Sequence, residues 1–418
     1  MKLLYVVAGI LIVVIVFIGY HFIKYLRATS WMYELSAQLE LKIQDWEKKE
    51  YKRPPLFSQS IPGDARAIYQ EALDKVEKLK PDEETGIKEY IYDPTKLLSP
   101  AARAYYERNK FVIEAIKKGV NAETYKPLLN ISDFLHSVPP YMGKARTVAK
   151  IMVIMGRELE SENRFPEALE LYCSIIRFGN DYFREGAVVS ALVGMSISIV
   201  GQKEIQRLLI DTKPSEQDLT RLISAFKILL DSNLSLQEVY NTEKLGWEFL
   251  IKLNSTEGKE ILPKHLSFYR IQAWDDVIFF YGEAEKLSLL PYYQSKDELI
   301  TLNTKIEALT NPLSSLFLPG ILKILKTNYK LQANLRGIYI LAALKLHKLK
   351  HGNYSVSLEE LAPAIIPQVP LDPFSDKPFI YKLNADGTIM LYSVGDDLKD
   401  DGGDEKEDVV ISPMEKAR

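Results

Sequence analysis

The residues best suited to chemistry lie near the end of the chain. Between Asp396 and Asp408 stand eight carboxylates (Asp396, Asp397, Asp400, Asp401, Asp404, Glu405, Glu407 and Asp408) against Lys399 and Lys406. Like charges at this density repel unless solvent or a cation screens them. Hard oxygen ligands on a loop bent by Gly402-Gly403 suit Ca²⁺, which takes about six to eight oxygens. Two readings stand on these residues alone: a solvated acidic tail, or a loop closed around an ion. Counted as an EF-hand from Asp397, the run puts Asp401, Gly402 and Asp408 at the fifth, sixth and twelfth places. Lys399 then sits where a ligand is needed and the bidentate Glu is missing, which argues against an EF-hand.

Other candidates are weaker. His347 and His351 stand one turn apart on a helix, a metal-pair spacing. No Glu follows His347 and the ladder is lysine-rich, so they read as surface histidines favoured by the helix C-terminal dipole. His136 and His265 are isolated in sequence. The chain has no Gly-x-Ser-x-Gly, Walker loop, His-Glu-x-x-His or Cys-x-x-Cys. Cys173 is the only cysteine, which excludes an internal disulfide, and its apolar setting marks a small buried hydrophobe. Trp274-Asp275-Asp276 is an acidic pair beside an aromatic residue. A hydrolase built on it would need a further carboxylate across a cleft. The alternative function is therefore a cell-envelope hydrolase with a carboxylate site in the helical body.

The elements that position these residues belong to a folded chain. Its 418 residues are 47% hydrophobic and 26% charged, enough for two or three domains with a sizeable core. A net charge of −3 provides no field to recruit nucleic acid. Leu3 to Ile23 hold no Asp, Glu, Lys or Arg, and as a helix would span roughly 30 Å, the thickness of the hydrocarbon layer. Tyr5, Tyr20 and Tyr25 flank the run as interfacial aromatics do, and Ile18-Gly19-Tyr20-His21-Phe22 offers no small-x-small cleavage site. The run reads as an uncleaved anchor. Lys2 on one side against Lys24 and Arg27 on the other leaves orientation open.

Behind the anchor, Met32, Leu35, Leu39, Ile43 and Trp46 form an apolar helical stripe of the kind that packs on a body. Lys52-Arg53-Pro54-Pro55 breaks it. The pattern is then helical to about residue 345. Asp64 caps a helix with Ala65, Ile68, Tyr69, Ala72, Leu73, Val76 and Leu79 on its apolar face. Ser99-Pro100 opens another, which Gly119 closes. Further helices are predicted near 143–162, 166–178, 185–208, 215–231 and 234–253. The break at Arg164-Phe165 makes an αα-hairpin similar to half of a tetratricopeptide unit, with no second copy at that period. Near the end, Phe379, Tyr381 and Leu383 alternate, Ala385-Asp386-Gly387 supplies a turn, and Ile389 and Leu391 alternate again, which predicts a β-hairpin.

One succession of motifs resembles the globular end of the type II secretion major pseudopilin. It runs from the helix ending at His351 through Gly352-Asn353-Tyr354, Asp372-Pro373-Phe374 and the hairpin to Ser393-Val394-Gly395-Asp396-Asp397, Gly402-Gly403 and Asp408-Val409. The likeness covers about residues 331–411. It implies a calcium loop with Asp397 and Asp408 as ligands and Asp404 beside them. Leu398 stands where that family has glycine, one extra residue precedes Gly402-Gly403, and the prepilin peptidase site is missing from the N-terminus. The whole chain is similar to an uncharacterised bacterial family of membrane-anchored helical proteins, a likeness that implies no activity.

The expectation is a mainly α chain. A transmembrane anchor occupies residues 1–26, a juxtamembrane helix and linker 27–60, and an irregular multi-helix body 61–330. A small α+β domain resembling a pseudopilin, with its hairpin and acidic loop, occupies 331–418. The resemblance puts the body of this single-pass protein outside the cytoplasm, in a bacterial envelope. Its role is binding or structural, with lipid contact through residues 3–23, protein partners on the helical body, Ca²⁺ at Asp397, Asp404 and Asp408, and no nucleic acid.

Overall fold

The computed structural model describes residues 39–57, 59–93, 95–127, 141–232, 234–256, 270–318 and 320–412. The predicted anchor at 3–23, and His136 and His265, lie outside the described residues. The chain is mainly helical with two small sheets. In order, the elements are α1 (39–47), β1 (Tyr51–Lys52), β2 (Ile61–Asp64), α2 (Ala65–Asp74), α3 (Pro81–Tyr92), α4 (Pro100–Asn109), α5 (Val112–Val120) and β3 (Ala122–Tyr125). There follow α6 (Tyr141–Ser161), α7 (Phe165–Phe183), α8 (Val188–Asp211), α9 (Glu216–Leu230), α10 (Leu236–Thr256), α11 (Arg270–Ser288), α12 (Tyr292–Glu307) and α13 (Pro312–Phe317). The long α14 (Ile321–His351) then leads into β4 (Ile380–Leu383), β5 (Ile389–Ser393) and β6 (Val409–Ser412).

Local signals account for many boundaries. Asp64 accepts the Arg66 N–H at 3.0 Å and starts α2, while Ser99 accepts the Ala102 N–H at 3.3 Å and starts α4. Gly352 ends α14 in the left-handed conformation, φ +85°. The stretch expected as one helix from Ser99 to Gly119 is two. Asn109 is buried, accepts the Glu77 N–H and donates to the Tyr105 carbonyl, which ties the end of α4 to the α2–α3 connection and turns the chain.

The core forms around α7 and α8. Their backbones approach closely because Gly179 and Gly194 face each other, and a Cβ on either would collide with the other's carbonyl oxygen. Among the described residues, α8 alone is long and apolar enough to cross a membrane. Its most apolar stretch is 67% buried inside the fold, so it serves as a central core helix. The α1 stripe packs on the body as its spacing predicts: Leu39, Ile43 and Trp46 cluster with Ala187, Leu245 and Leu250.

The predicted hairpin is present, β4 pairing with β5 from Ile380↔Tyr392 to Leu383↔Ile389. Two features carry no sequence signal. β6 adds a third antiparallel strand to this sheet, in the order β4-β5-β6. Near the N-terminal end, β3 lies between antiparallel β1 and parallel β2. The second sheet rests on α14, and Gln206 of α8 covers the edge of β6 by donating to the Val410 and Ile411 carbonyls.

Candidate functional site

The acidic run is the β5–β6 loop, and the residues before it fix where it starts. Asp372 is buried and uses both oxygens. Oδ1 accepts the Phe374 N–H at 3.0 Å and the Ser393 hydroxyl at 2.8 Å; Oδ2 accepts the Ser375 hydroxyl at 3.2 Å and the Val394 N–H at 3.3 Å. Burial raises its pKa, and these four donors work against that rise. Phe374 then stacks edge-on to Tyr292 at 5.1 Å, anchoring the turn on α12. Gly395 follows at φ +68°, and a Cβ there would collide with the Glu407 carbonyl oxygen, so the two ends of the loop lie close together.

Lysines of the body meet the first acids. Lys326 and Lys330 of α14 reach the Asp396 carboxylate at 3.1 and 3.9 Å, and Lys296 of α12 donates to the Asp397 carbonyl at 2.7 Å. Burial pushes the Asp396 pKa up, but the two lysines outweigh it and leave the group below the ordinary range. Tyr292 adds its hydroxyl to the Asp396 carbonyl at 3.1 Å. Leu398 is then forced to φ +69°, a conformation that costs a β-carbon-bearing residue about 1–2 kcal/mol.

The three predicted ligands point to different partners. Asp397 Oδ1 accepts the Lys399 N–H at 2.9 Å, and Asp404 Oδ1 accepts the Lys406 N–H at 2.9 Å, each closing its own turn. Asp408 is different. It is 5% exposed, its Oδ2 accepts the Gly403 N–H at 2.7 Å, and its Oδ1 has no partner in normal hydrogen-bond geometry. Burial raises its pKa; the Gly403 and Asp401 N–H groups oppose that, and the Asp401 and Asp400 charges add to it. Asp400 is held by the Tyr392 hydroxyl, which also receives the Lys382 ammonium at 2.9 Å. Among the described residues, no three His, Cys, Asp or Glu side chains stand close enough together to hold a metal ion.

A second polar cluster lies inside the body. Asp181 of α7 accepts from Arg53 and, at 2.7 Å, from the Tyr69 hydroxyl. Glu185, one turn on, accepts from Arg66 at 2.6 Å and from the Tyr125 hydroxyl. Arg53 also donates to the Gly119, Val120 and Ala122 carbonyls, capping the end of α5 and joining β3 to α7. Glu243 of α10 is a third buried acid. It accepts the Val188 N–H at 2.8 Å and the Trp247 indole N–H at 3.0 Å, so it caps α8 from a neighbouring helix. Burial pushes its pKa up to about 7, its two donors notwithstanding.

The remaining candidates have structural occupations. Asp276 accepts the Ser314 hydroxyl at the start of α13, and Trp274 is buried. Cys173 is fully buried, and burial pushes its thiol well above the ordinary range. His347 and His351 stack at 4.4 Å, with His347 Nδ1 against the Asn353 carbonyl at 3.0 Å. No protein-family model, curated protein or solved structure matches this chain.

Proposed function

We propose that this is a membrane-anchored, extracytoplasmic binding or structural protein whose C-terminal sheet carries a calcium-responsive loop resembling that of the pseudopilins. The observation that carries the reading is Asp408: a buried carboxylate with one oxygen lacking a partner in normal hydrogen-bond geometry, within the acid-rich loop. A dehydrated anion beside Asp400 and Asp401 is costly, and a hard cation removes that cost. Leu398 departs from the glycine the family has at its place, and it takes a positive φ, the region that glycine favours.

In this reading Asp408 is the first ligand. Asp397 and Asp404 join it by releasing their turn N–H groups, and backbone carbonyls and water complete the shell. Lys296, Lys326 and Lys330 hold the start of the loop against α12 and α14, so closure on Ca²⁺ would stiffen the sheet against the body. Residues 3–23 tether the molecule in the bilayer, and partner proteins dock on the helical surface.

Two experiments test this. Full-length protein should enter the detergent-extracted membrane fraction, and its body should be cleaved by protease added to spheroplasts. Recovery in the soluble fraction with an intact amino end overturns the anchor, and protection of the body overturns the orientation. Millimolar Ca²⁺ should raise the melting temperature, and an Asp397→Ala/Asp408→Ala variant should lose that rise. Equal melting with and without Ca²⁺ in the unaltered protein removes the ion from the account.

A further inference from the structure

The segment that leads into the body is attached in two unequal ways. From Tyr51 onward it is built into the core. β1 pairs with β3, the Arg53 N–H donates to the Glu123 carbonyl at 2.9 Å, and the buried Arg53 guanidinium reaches buried Asp181. α1, just before it, packs through apolar side chains. Leu39, Ile43 and Trp46 share a small cluster with Ala187, Leu245 and Leu250, while Leu41 on the other face is 62% exposed. The Trp46 ring lies against Gly186 in the α7–α8 turn, where an added Cβ would collide with it. Lys49 joins the two zones, pairing with Glu238 of α10 at 3.0 Å and lying over the Trp46 and Tyr51 rings.

α10 places an acid beside this contact. Glu248 stands between Leu245 and Leu250, the two residues α10 gives to the cluster, and shares a helix face with Leu245. It is 7% exposed, and among the described residues no donor reaches its carboxylate within hydrogen-bond or ion-pair distance. The charges that face it are Lys42 of α1 and Lys244 of its own helix, both beyond ion-pair distance. Burial raises its pKa above the ordinary 4.5, and the two lysines only partly oppose that rise. Glu243, earlier on the same helix, is directed elsewhere: it accepts from Val188 and Trp247 at the start of α8. A buried carboxylate without a partner is unfavourable, so the ionised form of Glu248 works against the packing that covers it.

We propose that α1 is a releasable strap: it lifts from α10 and the α7–α8 turn while β1 stays paired, and ionised Glu248 favours the lifted state. Lifting returns Glu248 to water and exposes Leu245 and Leu250, so apolar burial holds the strap down and the carboxylate opposes it. The docked strap prefers the protonated acid. Docking is therefore firmest below about pH 4.5 and weakens as pH rises through the raised value. The Tyr51 hydroxyl on Glu238, 2.9 Å, and the Arg53 contacts mark where lifting stops, and Arg184 stacked over the Tyr51 ring reinforces that end. Under the membrane-anchored reading, release lengthens the tether between bilayer and body. The strap itself depends on neither the anchor nor the calcium loop.

The test is hydrogen exchange of full-length protein in detergent, read as protection factors. At about pH 5 the amides of 43–47 should be protected, but less than those of β1. By about pH 8 their protection should fall at least about threefold relative to β1. Glu248→Gln should abolish that relative fall, and Glu243→Gln should retain it. Trp46→Ala should lower protection of 43–47 at both pH values and leave β1 as it was. Equal protection of 43–47 and β1, no protection of 43–47 at about pH 5, or no relative fall with pH in the unaltered protein overturns the proposal whether or not the variants fold. So does a relative fall that persists in Glu248→Gln.

Discussion

The loop between β5 and β6 carries an excess of carboxylates at the surface, and the layer around α7 buries guanidinium groups against carboxylates and carbonyls in the interior. At the surface, most acids are satisfied one at a time: Asp397 and Asp404 fold back on their own turns, and Asp396 takes two lysines. Solvent screens the remainder. Inside, every cation that finds a partner does so across the fold, at an acid of α7, a helix end or a backbone carbonyl. A charged group is therefore cheap to alter in one place and costly in the other. Asp372, Asp408 and Glu243 are informative exceptions, acids that are buried with no cation in ion-pair contact.

The largest effect should come from breaking the interior. Asp181→Ala leaves Arg53 and Arg184 buried without their carboxylate and should cost about 3–5 kcal/mol in chemical denaturation. A loss below about 1 kcal/mol, the scale of a surface pair, would erase the contrast between the regions.

Glu243 gives the next effect, and its sign follows from linkage. Burial raises its pKa from 4.5 to about 7 in the folded chain. Between those values the folded protein keeps a proton that the unfolded chain has released. Stability from this group is therefore full below about pH 4.5, falls as pH rises and levels off above about 7, a change of about 3 kcal/mol. Denaturation across that window should show Glu243→Gln with the fall removed. Parallel pH profiles for the two proteins would mean that Glu243 titrates normally.

At the loop, Gly395→Ala should cost about 1–3 kcal/mol and speed proteolysis between β5 and β6, because the new methyl group meets the Glu407 carbonyl at a positive φ. Smallest of all, Asp404→Asn without calcium should change stability by less than about 0.5 kcal/mol, since an exposed Asn can close the same turn. A loss above 1 kcal/mol would show the loop to be as interdependent as the interior.

What could be read from the sequence divides along the same line. Asp64, Ser99 and the hairpin turn at Ala385-Asp386-Gly387 act on atoms a few residues away, so residue type and spacing suffice to find them. The sheet of β1, β2 and β3 was invisible because its strands are two to four residues long and about sixty residues separate β2 from β3. The arginine layer was invisible for a related reason. Arg177, Asp181, Arg184 and Glu185 look like the solvated face of a helix until Arg53, Arg66, Tyr69 and Tyr125 arrive from more than fifty residues away. In the acidic loop, composition suggested a cation but not which oxygen waits for it. Only the fold shows Asp408 buried with Oδ1 lacking a partner in normal hydrogen-bond geometry while Asp397 and Asp404 are occupied.

Calorimetric titration of Ca²⁺ into the full-length protein, beside Asp408→Asn and the exposed control Glu405→Gln, tests the calcium reading most directly. Saturable one-site binding in the unaltered protein and in Glu405→Gln, weakened at least tenfold in Asp408→Asn, is the predicted result. No saturable heat in the unaltered protein, or equal affinity in all three, contradicts it.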